Sequence, residues 1–129
     1  MTMRTVRPTD GELAILRVLW ERGPSTVREV HAALAGSRET GYTTTLKLMQ
    51  IMAEKNLVTR DESTRTHVYK ARWSQGHTQR QLVSDLMDRA FGGSAAQLVQ
   101  QALSAHSTSV EELEQIRQLI EEARKAGRR

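Results

Sequence analysis

Cysteine is absent from the 129-residue sequence, and aromatic residues make up only 4% of it. Without cysteine the chain has no disulfide, no thiolate metal site and no cysteine nucleophile. Few aromatic residues predict a small aliphatic core, which often gains buried area from a partner. No run reaches the roughly 18 apolar residues of a membrane span, and the N-terminus MTMRTVRPTDGE lacks the apolar segment of a signal peptide. We therefore expect a soluble, cytoplasmic protein.

The positive charge is concentrated in the first part of the chain. The formal net charge is +4 and the sequence pI is about 10.0. Residues 1–80 contain 13 Lys and Arg against 8 Asp and Glu, whereas residues 81–129 contain 6 against 7. A localised basic excess indicates a polyanionic partner such as nucleic acid, although a solvated basic surface without such a partner accounts for it equally well.

Two capping boxes predict the first two helices. Thr9 precedes Glu12 by three residues and Thr26 precedes Glu29 by three, the spacing at which the two residues cap each other's backbone. The first helix should end at Arg22-Gly23-Pro24. The second should run over residues 26–35.

A third helix and a hairpin follow. The third helix is predicted over residues 42–55, with Thr45 or Leu46, Met49 and Met52 buried, and with Asn56 as a C-terminal cap that tolerates left-handed geometry. Strands at 57–60 and 66–71, joined by a polar turn at 61–65, predict a β-hairpin. Three helices and a hairpin are the layout of a winged helix-turn-helix.

Three further helices are predicted over residues 75–91, 95–103 and from about residue 111 almost to the end, with a frayed tail at 125–129. The fold class is therefore mainly α, with a winged-helix DNA-binding domain at 1–73 and a helical dimerisation domain at 74–129. A small winged helix cannot bury all the apolar stripes of these helices, so we expect a homodimer; packing of the extension onto its own domain is the alternative. The predicted dimer contacts are Leu82, Leu86, Phe91, Leu98, Leu103, Leu113, Ile116, Leu119 and Ile120.

The third helix is the predicted reading helix, because a helix fits the major groove while the preceding one braces it. Lys47 and Gln50 suit guanine or phosphate and adenine respectively, and Ile51 suits a thymine methyl. Thr43 and Thr44 either contact DNA or only cap the helix, and the wing residue Arg65 either reaches a phosphate or is a solvated turn residue. The predicted DNA contacts are Thr26, Tyr42, Thr43, Thr44, Lys47, Gln50, Ile51, Arg65 and His67.

Catalytic and metal-binding signals are weak. The four histidines form no convincing ligand group, and His106 near Glu111 and Glu112 is the nearest approach to one. There is no Gly-rich phosphate loop. We expect no enzyme activity, no metal and no cofactor. The competing hypothesis is a winged helix that assembles with other proteins without binding DNA, for which the reading helix would be more apolar.

Four segments together resemble the BlaI/MecI (penicillinase repressor) family: Thr9–Trp20, Thr26–Val30, Tyr42–Leu46 and Thr66–Tyr69. The resemblance covers nearly the whole chain. It implies a homodimeric winged-helix repressor of a palindromic operator, often upstream of a β-lactam-response operon, with DNA contacts at Thr43, Thr44, Lys47 and the Arg65 wing. It also implies a membrane-bound sensor metalloprotease as a partner that cleaves the C-terminal region.

The chain departs from the resistance repressors of that family at two places. Many of them have Arg where this chain has Ile51, so we expect a different or looser operator. Their Asn-Phe cleavage pair is missing, and the corresponding stretch is Val99–Leu103. The Cys cluster of the copper-responsive branch is also absent. The operator, the regulated genes and the inducing signal do not follow from the sequence.

Overall fold

The computed structural model describes residues 7–37 and 40–127. Residues 1–6 and 128–129 lie outside this range. The prediction of an N-terminus without a signal peptide and that of a frayed tail concern these residues in part. The described elements are α1 Asp10–Arg22, α2 Val27–Leu34, α3 Tyr42–Glu54, β1 Val58–Asp61, β2 Val68–Ala71, α4 Gln75–Ala90, α5 Ala95–Ala105 and α6 Val110–Gly127.

Both predicted capping boxes are confirmed. The Thr9 hydroxyl accepts the backbone N–H of Glu12 at 3.2 Å, and the Glu12 carboxylate accepts the backbone N–H of Thr9 at 2.9 Å. Thr26 and Glu29 make the same pair of bonds at 3.1 and 2.8 Å. Gly23 ends α1 with φ +89°, a conformation that favours glycine. The two boxes therefore determine where α1 and α2 begin.

The first unit is a three-helix core closed by the hairpin. Ser25 and Tyr69 exchange backbone hydrogen bonds of 2.9 and 2.8 Å, so the residue before α2 pairs with β2. The indole N–H of Trp20 donates to the Trp73 carbonyl at 2.9 Å, which ties α1 to the segment after β2. The core side chains are Ile15, Leu16, Leu19, Val27, Val30, Leu34, Met49, Met52, Leu57, Val58 and Tyr69.

A buried ion pair joins the start of α1 to the end of α3. The ammonium of Lys55 lies 2.9 Å from each oxygen of the Glu12 carboxylate. The Glu12 side chain is only 2% exposed and that of Lys55 is 28% exposed. Glu12 thus caps its own helix and neutralises a residue 43 positions away.

The end of α3 is closed by a left-handed residue, as the sequence predicts. Asn56 has φ +63°, its N–H donates to Ala53 at 3.2 Å, and the N–H of Leu57 donates to Met52 at 2.9 Å. These two bonds are those of a Schellman motif. They turn the chain directly from the reading helix into the wing.

Replacing Asn56 tests this turn. We expect Asn56→Val to lower the free energy of unfolding by about 1–2 kcal/mol, because a β-branched residue is strained at positive φ. Asn56→Gly is the matched control and should leave stability at or above wild type. Urea unfolding monitored by circular dichroism measures both, and equal stability of the two variants would contradict the assignment.

The hairpin is confirmed, with shifted strand ends. β1 and β2 are antiparallel, with Val58 opposite Ala71 and Asp61 opposite Val68. The strands begin at Val58 and Val68, so the predicted starts at residues 57 and 66 are wrong. Leu57 instead belongs to the helix-closing turn, and Thr66 lies in the connecting segment, where the Thr64 hydroxyl donates to its carbonyl at 2.7 Å.

The chain divides into two compact units between Ser84 and Asp85, inside α4. In the first unit, α4 begins at the Ser74 cap, whose hydroxyl accepts from His77 at 3.0 Å, and it buries Thr78. The proposed division of roles at residues 73/74 remains a prediction.

The second unit contains the end of α4 and the two last helices. Ser94 and Ser109 cap α5 and α6, each accepting from the N–H three residues on at 3.1 Å. Neither helix has a buried residue. α6 continues to Gly127, so the prediction of a frayed tail is wrong for residues 125–127. Over residues 7–37 and 40–127, no helix is both long and apolar enough to span a bilayer.

Candidate nucleic-acid interface

The N-terminal turn of α3 presents uncommitted hydroxyl groups. Its N-cap is Gly41, and no side chain makes a capping hydrogen bond there. Thr43 and Thr44 are exposed in the first turn. The alternative that these two threonines only cap the helix is therefore wrong. Their hydroxyls and the first backbone N–H groups of α3 remain available to a phosphate or a base edge.

The exposed face continues along α3 for two more turns. Lys47 and Gln50 are exposed, and within the described part of the chain Lys47 takes part in no ion pair. The sequence predicts Ile51 as a DNA contact on the exposed face. The structure corrects this, because Ile51 is half-buried. The helix has its buried face at Thr45, Met49 and Met52, and Ile51 lies at the edge between the two faces.

The start of α3 is held against α2 by an aromatic contact. The rings of His31 and Tyr42 meet edge to face, with centroids 5.7 Å apart and an interplanar angle of 83°. His31 Nδ1 lies 3.4 Å from the buried Thr45 hydroxyl, which donates to the Gly41 carbonyl at 3.3 Å. These contacts fix the position of the first turn of the reading helix relative to α2.

A cleft of about 310 Å³ lies between α2, α3 and the wing. Five of the nine predicted DNA contacts line it: Thr26, Tyr42, Gln50, Arg65 and His67. The other four, Thr43, Thr44, Lys47 and Ile51, are on α3 outside its lining. These five predicted contacts come from three separate segments of the chain, and the fold brings them together at one cleft.

Thr26 and Arg65 differ in how far their side chains are already engaged. The Thr26 hydroxyl is occupied as the α2 cap, so it has little capacity left for a DNA contact. Across residues 7–37 and 40–127, Arg65 at the wing makes no ion pair, and its side chain is exposed. Arg65 is therefore the better placed of the two to meet an anion.

The other cations of the wing differ in availability. Arg60 donates to the Glu62 carboxylate at 2.6 Å, and hydrogen bonding to Tyr69 and then to Glu62 raises its pKa. The backbone N–H of Ser63 lowers the pKa of Asp61 by donating to its carboxylate at 2.9 Å. Arg60 is thus neutralised, and Lys70 and Arg65 carry the accessible positive charge of the wing.

Arg28 is the residue that sequence reasoning missed. It lines the cleft, and its guanidinium carbon lies 5.6 Å from the centroid of the Tyr42 ring. Because Arg28 lies inside the second capping box, the sequence pattern indicates a residue of the helix start and not a DNA contact. An exposed arginine at the start of the bracing helix was the available signal, because that end of the helix crosses the DNA backbone in helix-turn-helix proteins.

No cluster of three or more His, Asp or Glu side chains is positioned to hold a metal in the part of the chain that the structure describes. The geometry instead combines a polar helix face, an uncapped helix start and a cleft with two arginines. That combination suits a polyanion with readable edges rather than a small reactive substrate.

Comparison with known proteins identifies the family. The family model of the penicillinase repressors matches residues 8–122. The chain belongs to the penicillinase repressor family. It is 36% identical over 104 residues to the transcriptional regulator BlaI of Mycobacterium tuberculosis, in both strain CDC 1551 / Oshkosh and strain H37Rv, covering 80% of this chain and 72% of the relative. These relatives are transcriptional regulators, not enzymes.

Family membership agrees with the fold. The solution structure of the DNA-binding domain of the repressor BlaI superposes with a TM-score of 0.50 at 18% identity, covering 57% of this chain and 90% of that domain. This match confirms the winged helix that the sequence predicts. Within the family, the chain is a DNA-binding transcriptional repressor with a mainly helical fold.

Proposed function

We propose that the chain binds a palindromic operator as a homodimer and represses the operon downstream of it. The observation that carries this proposal is the exposed, uncapped start of α3, where Thr43 and Thr44 precede Lys47 and Gln50 on one face. Hydroxyl, ammonium and amide groups on a helix of this size are the groups that contact base edges in the major groove.

The apolar faces of the second unit support the homodimer. Among the predicted contacts, Leu119 is 62% exposed, Ile120 51%, Leu86 48% and Leu113 42%, and Leu103 is exposed as well. Leu82, Phe91, Leu98 and Ile116 are half-buried. Large apolar side chains repeated along amphipathic helices favour a partner surface. A second copy would also place two reading helices about 34 Å apart, one turn of DNA.

The alternative function, a protein-interaction module without DNA, would be favoured by an apolar reading face. Ile51, the apolar residue at the edge of that face, is half-buried. The remaining exposed residues of that face are polar or charged.

The family resemblance also suggests a β-lactam-response operon and a sensor metalloprotease as partner. Val99–Leu103, the stretch that corresponds to the cleavage site of the resistance repressors, lies inside α5. A protease binds its substrate as an extended strand, so cleavage at this stretch would require α5 to unwind first.

Lys47→Ala tests the reading face. We expect operator binding to weaken by about 1–3 kcal/mol if Lys47 contacts a base. If Lys47 contacts only phosphate, the loss should be equal on unrelated sequences and should shrink as salt rises. Fluorescence anisotropy over a salt series distinguishes the two. Lys125→Ala, which removes an exposed lysine of α6, is the control. Unchanged affinity of Lys47→Ala at every salt concentration would remove Lys47 from the interface.

A further inference from the structure

The cleft between α2 and the wing has a strongly one-sided charge. Arg28 of α2, Arg65 of the wing and Gln50 of α3 all line it. Among the described residues, none that lines the cleft is acidic. Its volume of about 310 Å³ is at the small end for a ligand site. This is the charge pattern of a site for a single anionic group.

Arg28 is held by a ring rather than by a carboxylate. Its guanidinium lies over Tyr42 at 5.6 Å, and Tyr42 is held in turn by His31. A cation–π contact occupies none of the guanidinium N–H groups with an acceptor and leaves them free to donate. The side chain has therefore already lost part of its conformational entropy, while its donors remain unused.

The acidic residues next to the cleft are engaged elsewhere. Glu29 accepts from the Thr26 backbone at 2.8 Å, and this hydrogen bond is the main cause that lowers its pKa; its carboxylate also lies 4.0 Å from Arg22. Glu62 is paired with Arg60. Within the described ranges, neither arginine of the cleft forms an ion pair, so both charges remain for a ligand.

We propose that Arg28 and Arg65 bind one and the same phosphate of the DNA backbone in this cleft, and that Tyr42 is the positioning residue for Arg28. This inference rests on the proposed function, because it assigns a backbone contact to the same DNA. Two guanidinium groups that donate from opposite sides match the two unesterified oxygens of a phosphodiester. The contact would fix the register of α3 in the groove without reading a base.

Neutral phosphates provide the test. The full-length wild-type chain first selects its preferred duplex from a random pool. That duplex is then prepared as a series, each member carrying a methylphosphonate at one backbone position. Wild type should lose about tenfold in affinity at one position in each half-site. At that position the methylphosphonate should have little effect on either Arg28→Ala or Arg65→Ala, whereas at every other position both variants should respond as wild type does. On the unmodified duplex each variant should bind about tenfold more weakly and lower the salt slope by about 1.

The double variant and Tyr42 variants sharpen this test. Independent contacts would make the two tenfold losses multiply to a hundredfold in the double variant Arg28→Ala/Arg65→Ala. Because both arginines bind one phosphate, we expect its loss of affinity to be much smaller than that. Tyr42→Phe, which keeps the ring beside Arg28, should keep the sensitivity to the methylphosphonate and to Arg28→Ala. Tyr42→Ala should weaken binding about threefold and should reduce the further loss caused by Arg28→Ala. Arg17→Ala, which removes an exposed arginine of α1, is the matched control and should show every wild-type sensitivity.

Four results would overturn the proposal. If Arg28→Ala binds as Arg17→Ala does, or if the two arginine variants become insensitive at different phosphates, the shared contact is absent although the protein still binds DNA. The cleft holds a free anion if wild type binds inorganic phosphate saturably, Arg28→Ala does not, and no DNA position loses its methylphosphonate sensitivity in the arginine variants. If wild type binds no duplex at all, the proposed function fails together with the inference.

Discussion

A chain carrying Leu119→Glu and Ile120→Glu is expected to be monomeric at concentrations where the wild type is a dimer. Both side chains are more than half exposed in the single chain, so the change should leave each folded unit intact. In a dimer the four side chains would be buried, and each large apolar group contributes about 1.5–3 kcal/mol on burial. Replacing them with carboxylates adds the cost of burying charge. The dimer dissociation constant should rise about 1,000-fold or more.

Loss of the dimer should also appear in DNA binding. Two linked half-site contacts gain roughly 100- to 10,000-fold from effective concentration, so affinity for a palindromic operator should fall by at least about 100-fold while affinity for one half-site stays unchanged. Light scattering and anisotropy measure the two quantities. Gln118→Glu introduces one such carboxylate on the opposite face of α6 and is the control for added negative charge. A dimeric double variant would place the interface elsewhere.

Among substitutions in the winged helix that keep the size of the side chain, Lys55→Met is expected to lower the free energy of unfolding the most. It leaves the buried Glu12 carboxylate without its cation, and an unpaired buried charge costs about 3–5 kcal/mol. Because Lys55 is partly exposed, we expect the free energy of unfolding to fall by about 2–4 kcal/mol, a large part of the roughly 5–15 kcal/mol that stabilises a domain. Urea unfolding of the full chain measures the loss.

Two further variants separate this charge effect from general damage. Glu12→Gln combined with Lys55→Met removes both charges and should recover a substantial part of the lost stability. Lys70→Met removes an exposed lysine from β2 and should change stability by less than about 0.5 kcal/mol. If Lys55→Met is no less stable than Lys70→Met, the ion pair does not stabilise the fold.

Local signals in the sequence were sufficient for most of the fold. The capping boxes at Thr9 and Thr26 each satisfy backbone donors within four residues, so their effect is visible without the tertiary structure. The αL position at Asn56 follows from the same local chemistry. The errors lie at element ends: β2 starts at Val68, which pairs with Asp61 of β1, and the N–H of Leu57 is taken up by the Met52 carbonyl in the helix-closing turn.

Contacts between distant residues could not be predicted in the same way. Glu12 and Lys55 are 43 positions apart, and neither signals the other by spacing. Arg28 lies on α2 and its ring partner Tyr42 on α3, and no spacing rule connects the two. Ile51 was assigned to the exposed face because helical periodicity alone does not resolve a residue at the edge between two faces.

Selection of bound duplexes from a random DNA pool by the full-length chain tests the central claim most directly. The pool reports sequence preference, symmetry and half-site spacing in one measurement. We expect a palindrome whose half-sites are centred about one helical turn, roughly 10 base pairs, apart. Failure to enrich any sequence above the input pool, or enrichment of a single site without two-fold symmetry, would contradict a repressor that reads its operator as a homodimer.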